Sequence, residues 1–318
     1  GGVAISNTAS ITLTAGAAST TTSTVSVSSS SITANGTSTS TITVQLKDAN
    51  SNNLSASGGT ITFTSPSTGS IGTVTNNNNG TYTATYTSGT SSGSVTIEAK
   101  LGGVAISNTA SITLTAGAAT QIAINAGNNQ SATAGTSVST NLSVIVKDAN
   151  NNPVSGTSVT FAVASGGGSL ATGTTVNTNS SGIATAPVWT LGTTAGSNTV
   201  TATSTGLTGS PVTFTATGNA GAATKLVITT QPVNTANGAT FANIVVKVQD
   251  SNSNTITSST ASITASIKSG SGSFCSGTTT SVNAVAGVAT FSNLCIQGSS
   301  GSYTLTFASS GLTSADSN

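Results

Sequence analysis

The chain has 318 residues, of which six are Lys and five Asp or Glu, with no Arg, His or Met. A charged share of 3%, against about a quarter in ordinary soluble domains, removes the basic footprint that nucleic-acid binding needs. The commonest general base and the usual phosphate clamp are missing with His and Arg, and no run of about 18 apolar residues reads as membrane-spanning.

Thr supplies 65 residues and Ser 55. The apolar share of 35% is low, which taken alone points toward disorder. Near neutrality and the density of Thr, Val and Ile point instead to strands. The length fits two or three domains, and the composition predicts an all-β protein. The chain opens without Met, a basic n-region or an apolar h-region. Any export signal is therefore expected to have been removed or to lie upstream.

Residues 1–18 read GGVAISNTASITLTAGAA, and residues 102–119 repeat them letter for letter. This offset is the length of one immunoglobulin-like domain. Next comes TVQLKDANSNNL, from Thr43 to Leu54. It returns as SVIVKDANNNPV from Ser143 to Val154, and more loosely as IVVKVQDSNSNTI from Ile244 to Ile256. Segments starting at Asn79, Ser181 and Ala286 share a further scheme: a Gly, a short alternating strand, a Gly/Ser-rich turn and a second alternating strand. Three tandem units follow, over 19–118, 119–221 and 222–318. Residues 1–18 are expected to be the last strand of a preceding unit, or a donor strand, and unit three is expected to lack its final strand. Two explanations fit: a window on a longer array, or a front strand that completes a neighbouring molecule by strand addition.

Strand alternation is plain in Gly80–Thr87, where Thr falls on one face and Tyr82, Ala84 and Tyr86 on the other. Ile42, Val44 and Leu46, then Val144 and Val146, then Val246 and Val248 place one apolar face per unit. The stretches DANSNN, GNNQ, NNNNG and SGGG carry turn chemistry. Helix signals are absent, and short strands at regular spacing predict β-sandwiches. Small-residue linkers are expected around Ala116–Ala119 and Gly218–Ala223.

Several segments carry a family resemblance. They are STSTITVQLKDANSNNLSASGGTITFT and NGTYTATYT in unit one, and AGTSVSTNLSVIVKDANNNPVSGTSVTF and NSSGIATAPVWTLGTTAGSNTVTA in unit two. The units resemble the bacterial immunoglobulin-like repeats of the invasin/intimin type, found in tandem on large surface adhesins. Unit three, with TKLVITTQPVN and GVATFSNLCI, resembles a related adhesin repeat more loosely. The resemblance implies tandem Ig-like sandwiches in an elongated array, outside the cell or at its surface. Neighbouring Ig-like units of the same or identical chains are the implied partners, with host-surface or glycan ligands left to other modules. Receptor binding in such adhesins usually resides in a distinct terminal module, and nothing here resembles one.

Cys275 and Cys295 are the only cysteines. Two thiols without His make a poor zinc site, and an even count on an exported chain reads as a structural disulfide. The Asp-x-Asn-x-Asn phrases at Asp48, Asp148 and Asp250 resemble the first half of a calcium loop but lack its Gly and distal Glu. An Asx-turn joining two strands accounts for the same residues, and calcium held by mixed carbonyl ligands stays open. Thr81, Thr83, Thr85 and Thr87, with Thr213, Thr215 and Thr217, read as solvent-facing strand positions rather than an ice-binding array. Sequons at Asn35, Asn53, Asn79, Asn129, Asn141 and Asn179 are expected by chance in so Asn- and Thr-rich a chain. Trp189 reads as core rather than as a sugar platform.

For catalysis the carboxylates are Asp48, Glu98, Asp148, Asp250 and Asp316, too scattered for an acid–base pair. Ser and Cys find no His to activate them, and six dispersed Lys give a Ser–Lys arrangement no support. The sequence therefore predicts no enzyme, no cofactor and no metal site. It predicts a stalk or spacer of an extracellular adhesin or fibre. A self-assembling filament subunit and a loop-mediated binding module are the alternatives.

Overall fold

The computed structural model describes Gly2 and residues 9–318. Every regular element among them is a β-strand. In unit one, strands Thr24–Val27, Thr39–Gln45, Thr81–Thr87 and Ser70–Ile71 form one sheet in that spatial order. Against it lie Gly93–Ile97, Ala110–Thr115 and Ser31–Thr33; Ala110–Thr115 runs antiparallel to the first and parallel to the last. That parallel pairing arises because the first strand of the unit leaves one sheet at its middle and joins the other. Unit two repeats the arrangement, with Val212–Asn219 between Gly196–Thr203 and Gln130–Thr133, antiparallel and parallel respectively.

The alternation read from the sequence decides which faces are buried. Tyr82, Ala84 and Tyr86 are buried, while the intervening Thr83 and Thr85 reach toward water. Each unit has its own core. Ile42, Val44, Tyr86, Ile97 and Ile112 belong to the first, Leu142, Phe161, Trp189 and Phe214 to the second, and Val246, Phe291 and Phe307 to the third. In the third, the Phe291 and Phe307 rings meet edge to face with centroids 5.0 Å apart, a favoured aromatic arrangement. Hydroxyl side chains cover the outer faces and bond across strands, as Thr160 does with Thr175 and Ser262 with Ser281.

Two sequence expectations shift in detail. The last strand of unit two runs on to Asn219, so Gly218 pairs with Gly196 in the sheet instead of serving as linker. Unit three ends in a short closing strand, Ala315–Asp316, paired with Phe307 and Thr306. The expectation for residues 1–18 falls partly on residues 1 and 3–8, which lie outside the described residues. Residues 9–16 belong to no strand.

Candidate functional site: the joints between units

The three Asp-led turns are densely bonded polar sites, and those of Asp148 and Asp250 sit where units meet. Asp148 is 2% exposed. Its Oδ1 accepts the backbone N–H groups of Asn150 and Asn152, both at 2.8 Å. Its Oδ2 accepts the N–H of Gly117 at 2.8 Å and the side-chain amide of Asn152 at 2.9 Å. The first pair makes an Asx-turn; the second ties the incoming linker to that turn. Asp250 repeats the pattern with Gly221 and Asn254, as does Asp48 with Gly16, Asn50 and Asn52.

These bonds control the charge of the carboxylates. Four N–H donors hold Asp48 at a pKa of about 2, with the Gly16 amide the leading cause. At Asp148 and Asp250 burial is the largest influence and works upward. Bonds from Asn152 and Gly117, and from Asn254 and Gly221, outweigh it and leave both below the ordinary range.

The neighbouring Asn reaches across the joint. Asn152 donates its side-chain amide to the Thr90 carbonyl of unit one at 2.8 Å and accepts the Ser92 N–H at 2.7 Å. Asn150 adds a bond to the Ala34 carbonyl at 3.2 Å. At the next joint Asn254 donates to the Thr193 carbonyl at 2.9 Å and accepts the Ala195 N–H at 2.7 Å. The bonded groups lie in matching loops, Gly89-Thr90-Ser91-Ser92-Gly93 and Gly192-Thr193-Thr194-Ala195-Gly196. Both Asn side chains are buried, so each joint is a closed polar contact in which one Asp fixes one Asn.

This role went unrecognised in the sequence, although an Asn four residues after each Asp was visible. The Asp carboxylate oxygens that a calcium loop would need are occupied by N–H donors. Among the described residues no three His, Cys, Asp or Glu side chains come together.

Cys275 and Cys295 are bonded, with Cα atoms 5.4 Å apart, and the Cys275 N–H also donates to the Cys295 carbonyl at 2.9 Å. Trp189 is fully buried in the unit-two core, and its indole N–H has no protein acceptor. All six sequon Asn residues are exposed. Asp316 pairs with Lys268 and accepts from Thr306, which pins the short closing strand of unit three. Among the described residues no helix is long and apolar enough to cross a membrane.

Tandem sandwiches with Asp–Asn joints define a modular array of bacterial Ig-like domains. The family model described as invasin, domain 3, matches residues 19–117, and that of the bacterial Ig-like domain, group 1, matches residues 121–217. The chain thus carries bacterial immunoglobulin-like repeats of the invasin/intimin type. Among solved structures it is similar to InvD of Yersinia pseudotuberculosis, at 24% identity and a TM-score of 0.60 over 94% of this chain and 96% of that one. The Escherichia coli adhesin FdeC matches at 19% identity and a TM-score of 0.58, over 96% and 99%. Invasin, described as a bacterial integrin-binding protein, matches at 21% and 0.52, with 95% of this chain covering 59% of that one. No curated protein sequence is significantly similar.

Proposed function

We propose that the chain is a stalk segment of a bacterial surface adhesin, a non-enzymatic spacer that carries other modules outward. The observation that carries this reading is the joint. Asn152 and Asn254 each close two hydrogen bonds onto the preceding unit, which limits hinge motion where a bare flexible linker would allow it. Reach and stiffness are what a spacer needs, and the joints supply stiffness by clasping main-chain groups of the preceding unit. The similarity to adhesin structures supports the surface setting. The disulfide fits an oxidising compartment and is read as structural.

At roughly 3.3 Å per strand residue, each unit extends some 30–40 Å, and three in line reach on the order of 100 Å. Small-angle scattering tests this directly. The stalk reading expects a monomer with a maximum dimension near that figure, unchanged with concentration. A compact particle sinks it. Growth with concentration would favour a filament subunit, and binding of the isolated chain on a glycan array or to host cells would favour a ligand-binding module.

A further inference from the structure

We propose that the outer edge of strand Ile61–Phe63 in unit one is a docking site. Its occupant is an extended, uncharged segment of a partner protein, taken up by strand addition. The site goes beyond the stalk reading and does not depend on it.

The same strand has different neighbours in the three units. In unit two, Ser158–Ser165 lies between Gly196–Thr203 and Thr175–Asn177. In unit three, Ser262–Ser269 lies between Thr304–Ala308 and Ser281–Asn283. The matching strand of unit one, Ile61–Phe63, pairs with Ala99–Leu101, and among the described residues no strand lies on its other side. The segment that would supply one, Thr75–Asn76, pairs instead with Thr83 and Tyr82 of the opposite sheet.

Chain length explains the difference. Ile71, Leu170 and Phe274 are equivalent anchors, paired with Tyr86, Trp189 and Ile296. Val176 follows Leu170 by six residues and Val282 follows Phe274 by eight, but Val74 follows Ile71 by only three. Three residues span at most about 10 Å, which is the bare separation of two packed sheets. The segment therefore cannot both cross the sandwich and turn along the far strand. Unit one's own chain leaves this edge open.

The open edge is polar in its backbone and apolar beside it. The Thr64 N–H donates to the Glu98 carbonyl, so the alternation of an antiparallel ladder turns the Phe63 N–H to the open side. Its counterparts on Phe161 and Ala265 donate to the carbonyls of Thr174 and Thr280 at 2.8 and 2.7 Å. Phe161 is 1% exposed beside its covering strand, whereas Phe63 is only half-buried. A groove of about 460 Å³ runs between residues 61–66 and 69–74, where Phe63, Ile71 and Val74 rest on the core. No residue of unit two lines it.

The occupant's chemistry follows from the strands that cover the other two edges, Thr-Val-Asn and Ser-Val-Asn. Val176 and Val282 pack on their cores, while the residues on either side face water. Neither flank of the groove carries a charge, so the usual charged guard of a sheet edge is missing. The neighbouring strand presents one charge of each sign, Glu98 and Lys100, and favours neither an acidic nor a basic segment. A Val or Ile between Ser, Thr or Asn fits best: main-chain bonds hold the segment and the groove takes the apolar side chain.

The test adds a synthetic peptide with the sequence of residues 171–179 to the 318-residue chain at millimolar concentration and follows amide hydrogen exchange by NMR. Phe63 exchange is expected to slow by about tenfold or more, and a peptide carrying Val176→Lys should leave it unchanged. The proposal is overturned if saturating peptide leaves the Phe63 amide as it was, or if the Lys peptide protects it equally. It also fails if Phe63 exchanges as slowly as Phe161 in the free monomer, because the chain then covers its own edge. Protection that rises with protein concentration in the absence of peptide overturns it too, since the occupant is then a second copy. These readouts are independent of the particle's length in solution, so this proposal and the stalk reading can each fail alone.

Discussion

Asn152 grips unit one from both sides, donating to the Thr90 carbonyl and accepting the Ser92 N–H, while Asp148 holds its amide in place. Replacing it with Ala removes two bonds across the joint, each worth about 0.5–1.5 kcal/mol net, and leaves the two cores untouched. Asn152→Ala is therefore expected to lower stability by about 1–3 kcal/mol through these two bonds, with the loss of its bond to Asp148 added, and to free the two units from one another. Backbone relaxation by NMR checks this: units one and two should tumble with separate correlation times. Asn254→Ala should do the same for units two and three.

Acid should loosen the joints before it melts the cores. The folded pKa of Asp48 lies at about 2, below its ordinary value of 3.8, and those of Asp148 and Asp250 are lowered as well. A carboxylate with a lowered folded pKa contributes stability that is present above the ordinary value. The contribution is lost as pH falls through the folded value. The Asp48 proton arrives between about pH 4 and pH 2, and those of Asp148 and Asp250 below the ordinary carboxylate range, so the carboxylates lose acceptor strength toward the linker amides. Scattering curves taken down this range should show loss of inter-unit order, while strand circular dichroism persists. Asp148→Asn should abolish the acid response of its own joint and leave that at Asp250 intact.

Much of the fold was legible because its periodicities are short. A step of two places Tyr82 and Tyr86 inward with no knowledge of the rest of the chain, and the repeat of residues 1–18 at 102–119 divides the chain into units. The joint was not legible for the opposite reason. Asn152 meets Thr90, and Asn254 meets Thr193, about sixty residues away. The Asx-turn alone accounted for the Asp-x-Asn-x-Asn phrase without either contact. The linker expected from Gly218 begins later, because Gly218 and Asn219 have linker chemistry yet belong to the last strand. In the structure Gly218 pairs with Gly196, and Gly218 and Asn219 lie in parallel beside Ala132 and Thr133.

Gly80 offers a sharp test of the turn that opens the long strand of unit one. It sits at φ +80°, and a Cβ there would lie 1.9 Å from the Leu54 carbonyl oxygen. The obstacle is backbone, which cannot swing aside as a side chain does. Gly80→Ala thus combines left-handed strain of about 1 kcal/mol with a clash that must move the turn. A loss of at least about 2 kcal/mol is expected in urea unfolding of unit one. An unchanged midpoint would mean that the turn relaxes freely.

Reduction should separate unit three from the rest. The Cys275–Cys295 bond joins residues 20 apart, and closing a loop of that size stabilises a fold by roughly 3 kcal/mol in the chain-entropy model. The crosslink lies wholly within unit three, and units one and two contain no cysteine. The lone Trp supplies the control, because Trp189 lies wholly within the core of unit two and reports that unit alone. Adding a thiol reductant under native conditions should lower the unfolding midpoint seen by far-ultraviolet circular dichroism for about a third of the signal. The Trp189 fluorescence transition should not move. If it shifts in step, the units unfold as one cooperative body and the joints couple their stabilities as well as their positions. Repeating the titration with Asn254→Ala then distinguishes the two cases, since breaking the joint between units two and three should restore an independent Trp189 transition.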